Sequence, residues 1–475
     1  MANGGIIGTV NNPTSTTATG VWQQEEQYEA KVTGTWPQRA LFTTKSARFN
    51  TASTDYLQRN MSNTGNLQAW TVSTWVKRST LSGQHMLFAS YADSNNSTEC
   101  FFEGNGSLNF RDNESGSFVF QKKTTQLFQD TSAWYHLVMS SSAGAQKIYV
   151  NGVEVTSFAV NNNGSGTSTW NGPYSHSIGA NVNGGSDKLG GYLSELISVD
   201  GQTLTPSSFG VANSDGVWTP IPYTWTYGTN GFNLQFENAA ALGTDSSSNG
   251  LNFTANNLTS IDQSTDYPEV NFATYNPLYK GPAVYSEGNL TSTISTGSDK
   301  FGGVSTIGVI SGKWYAEFKA LSDTSNDIVV GIFGNPQLAS NNNQGVGKEA
   351  NSIGYRSDGQ KGLENTFSSY GASYTTNDII GVALDLTSST KTITFYKNGS
   401  SQSAITISLT PVDGVWFMAS NSANGSKSGI WSANFGSAPY AISSGNADGN
   451  GYGNFEYAVP SGYYSLNTKN LGEFG

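Results

Sequence analysis

Short runs in which apolar and polar residues alternate, each closed by turn residues, recur along almost the whole chain. That is the period of half-buried strands rather than of helices. The first series holds Trp70-Thr-Val-Ser-Thr-Trp75-Val, Met86-Leu-Phe-Ala, Cys100-Phe-Phe, Trp134-Tyr-His-Leu-Val-Met and Lys147-Ile-Tyr-Val. The second holds Trp314-Tyr-Ala-Glu-Phe, Ile328-Val-Val-Gly-Ile-Phe, Ile379-Ile-Gly-Val-Ala-Leu-Asp and Lys391-Thr-Ile-Thr-Phe-Tyr-Lys. In the Trp70 run, Trp70 and Val72 share a face and Trp75 begins a switch, which predicts a bulge or burial on both faces. Asn151-Gly152 and Asn398-Gly399 each follow a strand-like run and suit the two positive φ values of a type I′ hairpin turn. Helix is expected only from Gln23 to Lys31 and at Pro206-Ser-Ser-Phe after a capping Thr205.

These elements predict an all-β chain of two antiparallel β-sandwich domains joined by an ordered, helix-poor connector. The expected boundaries are an N-terminal segment 1–38, a first sandwich 39–210, a connector 211–280, a second sandwich 281–442 and a closing segment 443–475. The connector carries Trp218, Trp225, Phe232, Phe236, Phe253, Phe272 and Tyr275, more aromatic bulk than a flexible linker would hold. In the closing segment, Gly462-Tyr-Tyr-Ser-Leu reads as a strand rather than a free end.

Composition narrows the partners. Of 475 residues only 12% are charged, the net charge is -11 and aromatics also reach 12%. Without a Lys/Arg cluster there is no surface to grip a nucleic-acid backbone or an anionic bilayer, and no apolar run is long enough for membrane insertion by a helix. Cys100 is alone, so packing rather than disulfides holds the fold. The opening MANGGIIGTVNNPTSTT lacks a basic, then apolar, leader pattern, so synthesis in a cytoplasm is expected.

Candidate chemistry is sparse. His85, His136 and His176 stand apart, with no second His or Cys at ligand spacing, so no metal site is read from the sequence. His136, inside a strand, reads as structural. The Gly/Asn-rich stretch Asn161 to His176 places Trp170, Asn171, Tyr174 and His176 in a loop where aromatic faces and amides would meet sugar rings and hydroxyls. An equally weighted alternative is that Trp170 anchors that loop on its own domain. In the second block Tyr355, Tyr370 and Tyr374, with Arg356 and Asp358, fall between predicted strands and form a candidate protein- or glycan-binding surface.

Arg48-Phe-Asn, Trp70-Thr-Val-Ser-Thr-Trp75-Val, Trp134-Tyr-His-Leu-Val, Ile148-Tyr-Val-Asn-Gly and Gly191-Tyr-Leu-Ser-Glu195-Leu-Ile-Ser-Val-Asp200-Gly, in that order, resemble the laminin-G-like and pentraxin-like branch of the concanavalin A-like jelly rolls. Gly312-Lys-Trp-Tyr-Ala-Glu317-Phe, Ser352-Ile-Gly-Tyr355, Asp378-Ile-Ile-Gly381-Val-Ala-Leu-Asp385 and Ile393-Thr-Phe-Tyr-Lys-Asn-Gly399 resemble a SPRY domain. The whole chain, with Gly231-Phe-Asn-Leu-Gln-Phe and Asn271-Phe-Ala-Thr-Tyr-Asn-Pro277-Leu, is similar to fibre or appendage proteins of tailed phages. That resemblance implies a virion surface protein, tail fibre or head appendage, whose N-terminal segment docks to other virion proteins and whose sandwiches bind host cell-surface glycan. It also implies a homo-oligomer, usually a trimer. A purely structural virion part, such as a capsid decoration or connector, is the alternative.

Two further implications belong to the jelly-roll resemblance. Laminin-G-like domains often carry calcium at a loop rim, but Asp55, Asp93, Asp112 and Asp187 are scattered, with no Asp-x-Asp run. Concanavalin A-like glycan hydrolases carry Glu-x-Asp-x-Glu on one strand. Here Glu99-Cys-Phe-Phe-Glu103 has Phe101 in the place of the Asp, so the chain is read as not an enzyme, with two solvated glutamates opposite a buried Cys100 and Phe102.

Overall fold

The computed structural model describes residues 43–475 apart from 165–166, 182–185, 280–282, 295–300, 324–326, 336–344 and 423–427. The expected docking segment 1–38 and the turn of helix from Gln23 to Lys31 lie outside the described residues.

The chain is nearly all β, and every sheet pairing among the described strands is antiparallel save one. In the first sandwich, one sheet centres on Trp70–Arg78, flanked by Trp134–Ser142 on one side and Gly191–Asp200 on the other. The facing sheet runs from Phe158–Asn162 through Ser117–Leu127, Ser107–Glu114, Asn96–Phe102, His85–Asp93 and Ser175–Ile178 to Tyr56–Asn60. Strict alternation drives this: Trp70, Val72 and Val76 point into the core with Phe88, Phe110 and Leu137, while Trp75 faces outward onto Trp134 and Tyr192. All nine residues of Trp70–Arg78 are buried. The switch expected at Trp75 is therefore burial on both faces, and the bulge lies in the neighbouring strand, where the register shifts between Ser194 and Ile197.

The stretch 211–280 does more than join the sandwiches. Phe232–Leu234 pairs with Gly191–Asp200, Thr254–Asn256 extends the opposite sheet beside Tyr56–Asn60, and Gln263–Ser264 pairs with Ser46–Phe49. Phe232, Leu234, Phe236 and Phe253 enter the first core, whereas Ala273 and Tyr275 enter the second.

The second sandwich packs a sheet centred on Lys313–Asp323, Ile379–Asp385 and Gly429–Asn434 against one centred on Ile328–Phe333 and Trp416–Ser422. Trp314, Phe318, Phe395 and Trp431 fill the space between. Both Asn-Gly hairpins form: Asn151 and Gly152 have φ 47° and 85°, Asn398 and Gly399 φ 48° and 79°. The closing segment sets Tyr464–Ser465 parallel to Lys313–Asp323, the one parallel pairing among the described strands. It then ends in an α-helix, Thr468–Phe474, capped by Asn467, which strand periodicity did not announce. At Pro206–Ser208 a 3₁₀ turn forms, yet Thr205 makes no side-chain cap.

Charged groups join the two sandwiches. Lys77 Nζ, buried, meets Asp266 at 2.7 Å and the Asn271 side chain at 2.7 Å, and Trp134 Nε1 donates to the same Asp266 carboxylate at 3.0 Å. Arg48, also buried, lies 3.4 Å from Asp262 and 3.5 Å from Glu287. Tyr192 Oη donates to the Gly288 carbonyl at 2.8 Å, and Asn289 Nδ2 to the Ser79 carbonyl at 3.0 Å.

Candidate functional site

The residues that the sequence nominated for glycan are enclosed. Trp170 has no exposed surface, stands 4.7 Å ring to ring from both Phe88 and His176, and donates Nε1–H to Ser198 Oγ at 3.0 Å. Asn171 is buried, its amide on Asp200 Oδ1 at 3.1 Å. His176 is buried too, and loss of hydration pushes its pKa down to about 4, so it stays neutral. Tyr174 is half-buried, its carbonyl facing His176 Nδ1 at 3.0 Å. The expected binding loop is thus corrected to a plug in the open end of the first core, because a Trp with Phe88, Trp70 and Phe232 around it cannot meet a sugar face.

The second-domain surface is corrected in the same way. Tyr355 and Tyr374 are buried, and the single O–H of Tyr374 faces the carbonyls of Tyr355 and Ile328 at 2.7 and 3.0 Å. Tyr370 is half-buried against Tyr355 and Phe395, with Oη on the Ser403 carbonyl at 2.5 Å. These rings pin the loop from 370 to 377 onto the core. Arg356 is held by Asp358 at 2.5 Å.

Glu99 and Glu103 sit on different partners. Glu99 is buried rather than solvated, paired with Arg111 at 2.5 Å and bonded by the Tyr91 hydroxyl, while Glu103 meets Lys123 at 3.3 Å. Cys100 and Phe102 face the core behind them. His136 lies between Trp75 and Trp218, with Ser73 and Trp218 Nε1 on its two nitrogens at 2.8 and 2.9 Å. Burial lowers its pKa to about 3, a fixed neutral ring and not a base. Asp55, Asp93, Asp112 and Asp187 belong to separate networks. Among the described residues no three His, Cys, Asp or Glu side chains converge as a metal site.

Open clefts lie elsewhere, along the stretch that completes the first sandwich. One, of about 570 Å³, is bordered by Tyr223, Trp225, Tyr227, Gln202 and Ser247. Trp225 is 58% exposed, its ring 5.5 Å from that of the buried Tyr223, which in turn contacts Tyr227 at 5.0 Å. An exposed indole packed at a tilt on Tyr223, with Tyr227 edge-on behind it and hydroxyls and an amide beside it, presents a flat apolar face with hydrogen-bonding edges. A second, of about 500 Å³, is lined by Gln58, Arg59, Asn60, Asn252, Thr254 and Asn256. The turn between them is organised by Asp245, which accepts Asn233 N–H, Ser247 N–H and Leu251 N–H at 2.7–2.9 Å. Sequence reasoning noted Trp225 only as connector bulk. The signal missed was its neighbourhood, Tyr223-Thr-Trp-Thr-Tyr227, in which three aromatics alternate with threonines.

Residues 51–207 match the concanavalin A-like lectin/glucanases superfamily, and residues 313–422 match the SPRY domain. The chain therefore carries one domain of each kind. Among solved structures it is similar to a putative carbohydrate binding protein from Bacteroides ovatus, at 14% identity over 47% of this chain and 60% of that one, TM-score 0.32. It is also similar to the heptameric SAP-like pentraxin of Limulus polyphemus, at 19% identity over 35% and 80% of the two chains, TM-score 0.27. A human SPRY domain matches at 20% identity over 32% and 94%, TM-score 0.24. No curated protein matches the chain.

Proposed function

We propose that this chain is a non-catalytic glycan-binding protein of a virion surface, a tail fibre or head appendage of a tailed phage, which attaches the particle to host cell-surface glycan. The observation that carries the glycan reading is the Trp225 cleft: a rigid, exposed aromatic face flanked by Gln202, Thr226 and Ser247 and by no charged group. Sugar rings bind such surfaces through their apolar C–H faces, with hydroxyls taken up by amide and hydroxyl edges. Concanavalin A-like membership of the first sandwich supports it, since that superfamily is one of lectins and glucanases. The absence of catalysis is supported by Glu99 and Glu103 each being tied to its own cation.

The virion setting rests on the resemblance of the chain's motifs to phage appendages. In this reading residues 1–38 dock to other virion proteins, and several copies, as a homo-oligomer or through the particle's own symmetry, raise avidity by about 10²–10⁴. The purely structural virion part is the second reading, supported by the polar joint, Lys77–Asp266 and Arg48–Glu287, that ties the two sandwiches together. A glycan array and a host-cell retention assay with wild type and Trp225→Ala decide between them. Glycan retention that falls at least tenfold in the variant is the expected result; a wild type that retains no glycan and no cells sinks the adhesin.

A further inference from the structure

We infer that the cleft around Arg59 is a second saccharide subsite, built for the carboxylate of an acidic sugar residue, a uronate. This rests on reading the chain as a glycan binder, and it adds a ligand chemistry that the uncharged Trp225 cleft cannot supply.

Among the described residues, Arg48, Arg111 and Arg356 each pair with carboxylates, and Arg78 is wholly buried with its guanidinium on the carbonyls of Phe128 and Thr80. Arg59 is different. It is half-buried, lines an open cavity, and its one hydrogen bond among the described residues runs from Nη1 to the Asn252 carbonyl at 2.7 Å. Its Nε has no acceptor among the described residues, a feature it shares with Arg78 and Arg356, so what sets Arg59 apart is the lack of a carboxylate or paired carbonyls on the rest of its guanidinium. In a chain of net charge -11 a guanidinium with unused donors and no carboxylate beside it is a distinct feature.

The walls around it define the ligand. Gln58, Asn60, Asn252, Thr254 and Asn256 contribute four amides and a hydroxyl, some of them held by bonds within the protein, and none is acidic. A lone cation in such a ring suits a molecule with many hydroxyls and one anionic group, and a planar carboxylate fits the planar guanidinium better than a point charge would. Two features make the site rigid. Arg59 sits in register opposite His176 and so on the same face of the sheet, and Asn252 is fixed by the amide of Asp245, which donates to its Oδ1 at 2.9 Å. Ser247 borders the aromatic cleft and Asn252 the cation's, at the two ends of one short turn.

The test uses the full chain and fluorescent oligouronates from alginate and polygalacturonate, each beside its carboxyl-reduced form. At least one oligouronate is expected to bind tenfold or more tightly than its reduced form, with the difference shrinking as salt rises. Arg59→Gln should erase that difference. So should Arg59→Met, which keeps an unbranched stem in place and removes the charge. If no oligouronate is preferred over its reduced form, or if a preference survives both variants, the subsite is overturned. Trp225-dependent retention of neutral or host glycan would then leave the glycan reading standing, whereas loss of all saccharide binding would remove both.

Discussion

Trp170 and Trp225 are the same residue type in loops of similar composition, yet their environments assign them opposite work. Trp170 fills the gap between the sheets, so truncating it removes a core ring: Trp170→Ala should cost about 3–5 kcal/mol and lower the melting temperature steeply by calorimetry. Trp225 leaves more than half its surface in water, so Trp225→Ala should move the melting temperature little while abolishing retention on glycan. An unchanged melting temperature for Trp170→Ala would mean that the plug is dispensable. Local sequence could not separate the two, because what encloses Trp170 comes from Phe88 and Phe232, both distant in the chain. His136 was legible: a polar residue between Tyr135 and Leu137 in a strand has to be satisfied in place, and Ser73 and Trp218 do so.

At the level of elements, the alternating runs and Asn-Gly turns marked the long strands well, since periodicity and positive φ are local properties. The two- and three-residue strands of 232–264 carry too few residues to show a period, and their pairing depends on the sheets they complete. The bulge in Gly191–Asp200 was equally invisible, and it sets an unusual carboxylate. Glu195 adopts φ 52° there, is 3% exposed, and accepts from Gln235 Nε2 at 3.1 Å through one oxygen while the other has no donor. Burial pushes its pKa up to about 8. The folded state then holds a proton that the unfolded chain releases near pH 4.5, so the stability Glu195 contributes is fully present below that value and is lost as pH rises through 8. Glu317 and Asp112, buried and raised to about 7, act in the same direction at lower pH, and the neutral histidines act oppositely below 6.5. Between pH 7 and 8 Glu195 dominates, with a slope of at most ~1.4 kcal/mol per pH unit. Urea melts across that interval should show the decline in wild type and a flatter profile in Glu195→Gln; parallel profiles would place the proton elsewhere.

Across the whole molecule, two sandwiches of this size would ordinarily melt apart, because separate domains seldom unfold as one unit. Here the joint is made of groups that cannot be exposed or orphaned cheaply. Lys77 comes from the first sandwich's central strand, and its partners Asp266, Asn271 and the Phe272 carbonyl lie where the chain crosses to the second. Opening the joint would release an ion pair that has traded hydration for mutual contact, along with Trp134 and Tyr192, whose polar atoms bond across it. Two buried charges of opposite sign add little net stability against an apolar pair, but removing one leaves the other uncompensated, at a cost of about 3–5 kcal/mol. Wild type should therefore show one calorimetric transition for residues 43–475. Lys77→Met, which strands Asp266 at the boundary, should split it into two, the lower belonging to the first sandwich, whose strand Ser46–Phe49 is tied to Asp266 by Ser46 Oγ at 2.5 Å. The double variant Lys77→Met, Asp266→Leu should recover much of the cooperativity that either single change loses. Two well-separated transitions already in wild type would mean that the sandwiches unfold independently and that the Lys77–Asp266 joint does not couple them.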